Sequence, residues 1–309
     1  MSGRLTVVGI GPGRADLVTP SAMAALNGAS DLVGYGPYLD RIPAGNAAQC
    51  RYPSDNREEL ARACFALELA ASGRNVAVVS GGDPGVFAMA AAVFEAVEAG
   101  DPRWRALDIT VEPGVTAMLA AAAEAGAPLG ADFCAISLSD NLKSWSTIER
   151  RLTAAAGAGF VIALYNPASK ARPHQLGAAF DILASARSPE AIVLFVRAAG
   201  TASPEVTATT LGRADPAKAD MRTLIIIGSD DTRLIAREGQ RPWVYTARAE
   251  GGWSTPCLGG TVQPHARTSS PRKRGPSKHR ILCGVLGSRL RGNDASCGAL
   301  LNTPKCRGL

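Results

Sequence analysis

Short runs of aliphatic and β-branched residues alternate along this chain with longer stretches of helix formers. Leu5-Thr6-Val7-Val8-Gly9-Ile10, Asn75-Val76-Ala77-Val78-Val79 and Leu107-Asp108-Ile109-Thr110-Val111 are of strand length, and each runs into a turn rich in glycine or proline. The second run is followed by Ala88 to Glu95, which has high helix propensity and no breaker. The third leads into a small-residue helix from Met118 to Gly126. Between the first two runs, Asp55 to Ser72 predicts an amphipathic helix. Asp55 or Asn56 would cap it, Glu58 and Glu59 fill its first turn, and Leu60, Cys64, Leu67 and Ala71 form its apolar face before Gly73. This β-α-β-α rhythm predicts an α/β domain with a largely parallel sheet.

The rhythm restarts after Pro128-Leu129-Gly130. Strands are expected at 133–138, 160–165, 191–196, near 206–212 and near 222–227, with helices from Ser146 and over 173–187. The chain therefore reads as two α/β domains, 1–114 and 115–248. Open sheets of this kind bind ligands outside the carboxyl ends of their strands, which places a crevice between the two. Beyond that point periodicity is lost and Ser, Gly, Pro and Arg dominate, so 249–309 reads as a basic, disordered tail.

Composition changes the picture in one respect. The formal charge of +6 would favour an anionic partner, yet residues 250–309 hold 10 Lys/Arg against 2 acidic residues, while residues 1–249 hold 23 against 25. A nucleic-acid reading would rest on the tail alone, and none is expected. Of the 7 cysteines, Cys50, Cys64 and Cys134 lie in the body, and none stands in a CxxC pair. The expectation is a reduced, cytoplasmic protein without a secretory signal, a membrane span or a metal site.

The stretch Ser80-Gly81-Gly82-Asp83-Pro84-Gly85-Val86-Phe87 is the strongest candidate for a binding loop. Its glycines let a ligand lie against the backbone, Pro84 is expected in the first helical turn, and Asp83 offers a carboxylate suited to a ribose hydroxyl or a cation. Asp83 as an ordinary turn or cap residue is the alternative. Gly9-Ile10-Gly11-Pro12-Gly13 invites a dinucleotide-fold reading, but Arg14 stands where the third glycine belongs and the acidic residue after the second strand is missing. Pro12 also removes a donor where a phosphate needs one.

Four turns in fixed order, Val8-Gly9-Ile10-Gly11-Pro12-Gly13, Val79-Ser80-Gly81-Gly82-Asp83-Pro84, Pro113-Gly114-Val115-Thr116-Ala117 and Leu164-Tyr165-Asn166-Pro167, resemble those of the tetrapyrrole methylases. The resemblance covers about residues 3 to 248. Tyr35-Gly36-Pro37-Tyr38-Leu39-Asp40, Ser54 to Leu60, Ile136 to Leu142 and Tyr165 to Arg172 are similar to the branch acting on corrin precursors in cobalamin synthesis. The resemblance implies a class III methyltransferase fold, a homodimer, and S-adenosylmethionine held between two α/β domains. It places Pro12, Gly81, Gly82, Asp83 and Val86 at the cofactor from one side. Thr116 and Ala117 would meet it at the junction, and Asn166, Gly200 and Leu224 from the second domain.

It also implies C-methylation of a polycarboxylate macrocycle with ring contraction. Positioning supplies much of such a rate, and the contraction favours a proton acceptor, for which Asp140 and Asp16 are candidates. Either is also readable as a simple turn residue. Lys143, Lys170 and Arg172 are expected to rim the substrate pocket, with Arg57 and Arg197 behind them. His174 reads as structural. The alternatives are another corrin methylase of the same family and, more remotely, a nucleic-acid binder acting through the basic tail.

Overall fold

The computed structural model describes residues 3–44, 48–55, 58–169 and 171–249. The expected basic tail, Asn56, Arg57 and Lys170 lie outside the described residues, apart from Ala249 at the start of that tail. Five parallel strands form the first sheet: β1 (Arg4–Gly9), β2 (Asp31–Tyr35), β3 (Cys50–Ser54), β4 (Asn75–Ser80) and β5 (Asp108–Glu112), in the order β3-β2-β4-β1-β5. Alternation sends Leu5, Val7, Val33, Val76 and Val78 to one face, against helices α3 (Glu59–Ala71) and α4 (Met89–Ala99). Val8, Leu32, Ala77 and Val79 pack on the other face, beneath α1 (Pro20–Gly28) and the single turn α2 (Gly36–Leu39). β3 pairs only with β2, which is why Pro53 is tolerated there.

The second sheet is mixed. β7 (Phe133–Ser137), β8 (Val161–Tyr165) and β9 (Ile192–Arg197) share a direction, while β10 (Glu205–Thr210) and β11 (Thr223–Ile227) run against them, in the order β10-β9-β11-β8-β7. Helices α6 (Trp145–Gly157) and α7 (Gln175–Ala184) cover one face through Ile148, Leu152, Leu176 and Leu183. The other face packs against α5 (Ala117–Ala125). A small third sheet, absent from the sequence reading, joins β6 (Gly126–Ala127) to the hairpin of β12 (Thr232–Arg237) and β13 (Gln240–Thr246), with Val244 buried in the α5 core.

Two local expectations are corrected. In α3 the buried face is Ala63, Ala66, Leu67 and Ala70, whereas Leu60 is 56% exposed. The helix begins at Glu59 with Glu58 as its cap residue, so Asp55 lies before it; of the expected stripe Leu67 is buried and Cys64 and Ala71 pack against the core, and Leu60 departs from it. Further on, α4 does not take up Pro84. Residues 84–88 form a turn in which Phe87 has φ +52°, and helical bonding starts only at Met89.

Candidate active site

The loops that follow β1, β4 and β5 meet backbone to backbone. Gly11 and Gly82 exchange two main-chain hydrogen bonds, Gly11 N–H to Gly82 O at 3.1 Å and Gly82 N–H to Gly11 O at 2.9 Å. Gly82 takes φ +66° to do so, a conformation costly to residues with a Cβ. Asp83 then ties in the third loop: its Oδ1 accepts from Gly85 N–H at 2.8 Å and its Oδ2 from Gly114 N–H at 3.0 Å. Thus the Gly82 amide is used within the protein, and the Asp83 carboxylate braces its neighbours. The Tyr38 ring lies where a Cβ on Gly81 would be, at 2.6 Å, so a side chain there would displace the ring.

The second sheet closes on these loops at two points. Arg14 N–H donates to Gly200 O at 2.8 Å, and the Pro12 ring fills the space a side chain on Gly200 would need, which leaves Gly200 buried with φ +68°. At the end of β8, the Tyr165 hydroxyl lies 2.6 Å from Thr116 Oγ1 and accepts from Met118 N–H at 3.0 Å. Burial pushes the Tyr165 phenol up, so it stays neutral and able to donate near neutral pH. Its ring also meets Phe87 edge to face, 5.2 Å between centroids. Asn166 follows in the left-handed region at φ +53°, with Nδ2 donating to Ser137 Oγ at 2.9 Å.

The carboxyl ends of β1, β4, β5, β8 and β9 therefore converge, and Pro12, Gly81, Gly82, Asp83, Val86, Thr116, Ala117 and Asn166 lie on those loops or, for Ala117, at the first turn of α5. Gly200 lies there too, masked by Pro12. Leu224 is 4% exposed and sits in the core under α5, in register with Val196. Lys143 reaches over the exposed Phe87 ring, 5.8 Å from its centroid, and partial burial pushes its ammonium down, with a smaller contribution from Arg151.

The two carboxylate candidates differ. Asp16 is exposed and bonded to Arg14 at 2.8–2.9 Å, and that bond holds it below the usual carboxylate range, so it is a poor proton acceptor. Asp140 is exposed, accepts from Gln175 Nε2 at 3.1 Å, and stands 3.9 Å from Arg172 Nε. Arg197 pairs with Asp220 at 2.8 Å and Glu205 at 3.1 Å, and His174 is an exposed residue at the start of α7. Two surface clefts lie apart from these loops. One of about 430 Å³ lies between β3 and α3, and one of about 280 Å³ lies between β9, β10 and the β12–β13 hairpin.

Tyr165, Ser137 and Phe87 were not singled out from the sequence as site residues. Tyr165→Phe is expected to keep the ring contact and leave Thr116 Oγ1 and Met118 N–H without their shared partner. That should destabilise the protein by about 1–3 kcal/mol, read as a lower denaturant midpoint at unchanged slope. An unmoved midpoint would show that the hydroxyl contributes nothing to the junction.

A match to the family model described as Tetrapyrrole (Corrin/Porphyrin) Methylases spans residues 4–215, and the chain belongs to that family. It is a methyltransferase of the class that uses S-adenosylmethionine. It is 56% identical, over 254 residues, to a precorrin-3B C(17)-methyltransferase of Sinorhizobium sp., covering 82% of this chain and 100% of that protein. It is 42% identical, over 230 residues, to a probable cobalt-factor III C(17)-methyltransferase of Salmonella typhimurium, covering 74% and 93%. The crystal structure of the methyltransferase CobJ superposes with a TM-score of 0.75 at 54% identity, covering 79% of this chain and 100% of that one.

Proposed function

We propose that this protein methylates precorrin-3B at C-17 and contracts its macrocycle to give precorrin-4, acting in the cytoplasm as a homodimer. The observation that carries this reading is the convergence of five strand-end loops in a chain 56% identical to a C(17)-methyltransferase over that enzyme's whole length. The site's groups suit S-adenosylmethionine. Half-buried backbone at Gly81, Gly82 and Asp83 suits a ribose, Val86 offers an apolar wall, and the α5 N-terminus at Ala117 favours a carboxylate. Pro12, Thr116 and Asn166 would close around it, with Gly200 and Leu224 behind. When bound, the cofactor supplies a methyl carbon that joins C-17 as its bond to sulfur breaks.

The chain's own part is to hold the acceptor carbon in line with that methyl and to exclude water. Lys143, Arg172 and Lys170 would pair with the carboxylates of the substrate. The exposed Phe87 ring beside Lys143 offers a flat apolar surface to the macrocycle. Contraction moves C-20 out of the ring as an acetyl group on C-1 and releases its hydroxyl proton, for which Asp140 is the better placed acceptor.

The test is to incubate the purified protein with S-adenosylmethionine and precorrin-3B and to read product mass and absorption. One added methyl and the spectrum of a contracted ring are expected. An unchanged substrate would overturn the reading. Turnover only with cobalt-factor III would favour the second reading, motivated by the 42% identity to the Salmonella protein.

A further inference from the structure

The segment Tyr35-Gly36-Pro37-Tyr38-Leu39-Asp40-Arg41 touches both glycine loops of the first sheet. Tyr38 packs its ring on Gly81, and Arg41 Nη2 donates to the carbonyls of Ile10 at 2.8 Å, Gly11 at 3.0 Å and Gly13 at 3.2 Å. Among the described residues no carboxylate pairs with Arg41, so three carbonyl dipoles from one loop hold its half-buried charge. Gly11 is in turn bridged to Gly82, so the two loops cannot move independently. A second arginine holds the same segment and the residues after it: Arg51 donates to the carbonyls of Leu39, Ile42 and Pro43 at 2.7–3.1 Å. None of those acceptors belongs to the glycine loops.

We propose that Arg41 is a positioning residue for the cofactor, fixing the path of residues 10–13 and, through Gly11, that of Gly82, so that the first sheet's half of the crevice is preformed. The inference rests on the reading that the cofactor lies against those two loops. A preformed loop binds without the loss of freedom that ordering it would impose. Lysine carries three donors on one nitrogen but on a shorter, more flexible stem, so it should serve the three carbonyls only in part.

The test measures S-adenosylhomocysteine binding by calorimetry, thermal midpoints, and steady-state kinetics with precorrin-3B for Arg41→Gln, Arg41→Lys and Arg51→Gln in the full chain. Hydrogen exchange of the unmodified protein with and without S-adenosylhomocysteine accompanies it. Arg41→Gln is expected to raise the dissociation constant and the KM for S-adenosylmethionine about tenfold to a hundredfold, with kcat within about twofold. Arg41→Lys should fall between, and it serves as the readout should the glutamine variant not fold. Arg51→Gln should lower the thermal midpoint and leave the dissociation constant unchanged. If both Arg41 variants bind as tightly as the parent, or behave as Arg51→Gln does, the proposal is overturned. If the parent shows no ligand protection at 10–14 and 80–86, the underlying reading fails instead, and the proposal with it.

Discussion

Gly114→Ala is expected to abolish cofactor binding and to lower stability by about 3 kcal/mol or more. A Cβ on Gly114 would collide with the Gly82 carbonyl oxygen and come within 3.0 Å of the Gly9 backbone. Neither neighbour is the tip of a side chain that can swing away. The Gly82 carbonyl is already bonded to Gly11 N–H, and Gly9 is the last residue of a central strand, with its own would-be Cβ 2.8 Å from Gly114 N and Pro84 Cδ. The methyl can be housed only by parting the three loops, which breaks the Gly11–Gly82 bridge and the bond from Gly114 N–H to Asp83. Gly157 is the control. It ends α6, it is exposed, and nothing lies within 4 Å of its Cβ position, so Gly157→Ala should be neutral or stabilise by up to about 1 kcal/mol. Calorimetric titration with S-adenosylhomocysteine and denaturant unfolding of both variants decide it. A Gly114→Ala protein that binds normally would mean that the loops tolerate separation and do not set the site.

The strand-end loops were legible because glycine and proline mark them unambiguously, and the apolar runs before them left no choice of element. The face of α3 was legible only in part, through Cys64, Leu67 and Ala71. In an alanine-rich helix the small residues can be the buried ones, and Ala63, Ala66 and Ala70 are fully buried while Phe65 and Leu60 stand out to solvent at 43% and 56% exposure. Hydrophobic periodicity ranks Leu above Ala, so it takes in Leu60 and passes over Ala63, Ala66 and Ala70 where close helix–sheet approach calls for small side chains. The start of α4 was hidden for a related reason. Proline is compatible with a first helical turn, and nothing in the sequence announces that Phe87 adopts a left-handed backbone.

Within the candidate site, the residues legible from sequence were those whose type is needed for backbone geometry. Those missed act through partners distant in sequence. Tyr165 and Thr116 are separated by 49 positions, and Arg41 lies 28 to 31 positions from the carbonyls it gathers. An arginine whose acceptors are main-chain oxygens leaves no complementary charge for a sequence reading to find. Burial pushes its guanidinium down, which reflects the absence of a partner acid and not a catalytic purpose.

Asp83→Ala should raise the dissociation constant for S-adenosylhomocysteine about tenfold to a hundredfold without unfolding the protein. Both carboxylate oxygens accept backbone amides, so the side chain is locked across the β4 and β5 loops before any ligand arrives. Bonds from amides to a charged acceptor are each worth about 1.5–3 kcal/mol, but Gly85 is exposed and Gly114 only half-buried, so water can replace part of that. The asparagine variant separates bracing from ligand contact. Its side-chain oxygen could still accept from Gly85 N–H, yet its amide nitrogen would then face Gly114 N–H, donor against donor. If bracing dominates, Asp83→Asn should bind about as weakly as Asp83→Ala, and both should loosen 113–116 in hydrogen exchange without ligand. If Asp83 acts chiefly as an acceptor for a ligand hydroxyl, asparagine should recover most of the affinity and leave that exchange unchanged. Unaltered binding in both variants would remove Asp83 from the site altogether, because neither route would then connect its carboxylate to the cofactor.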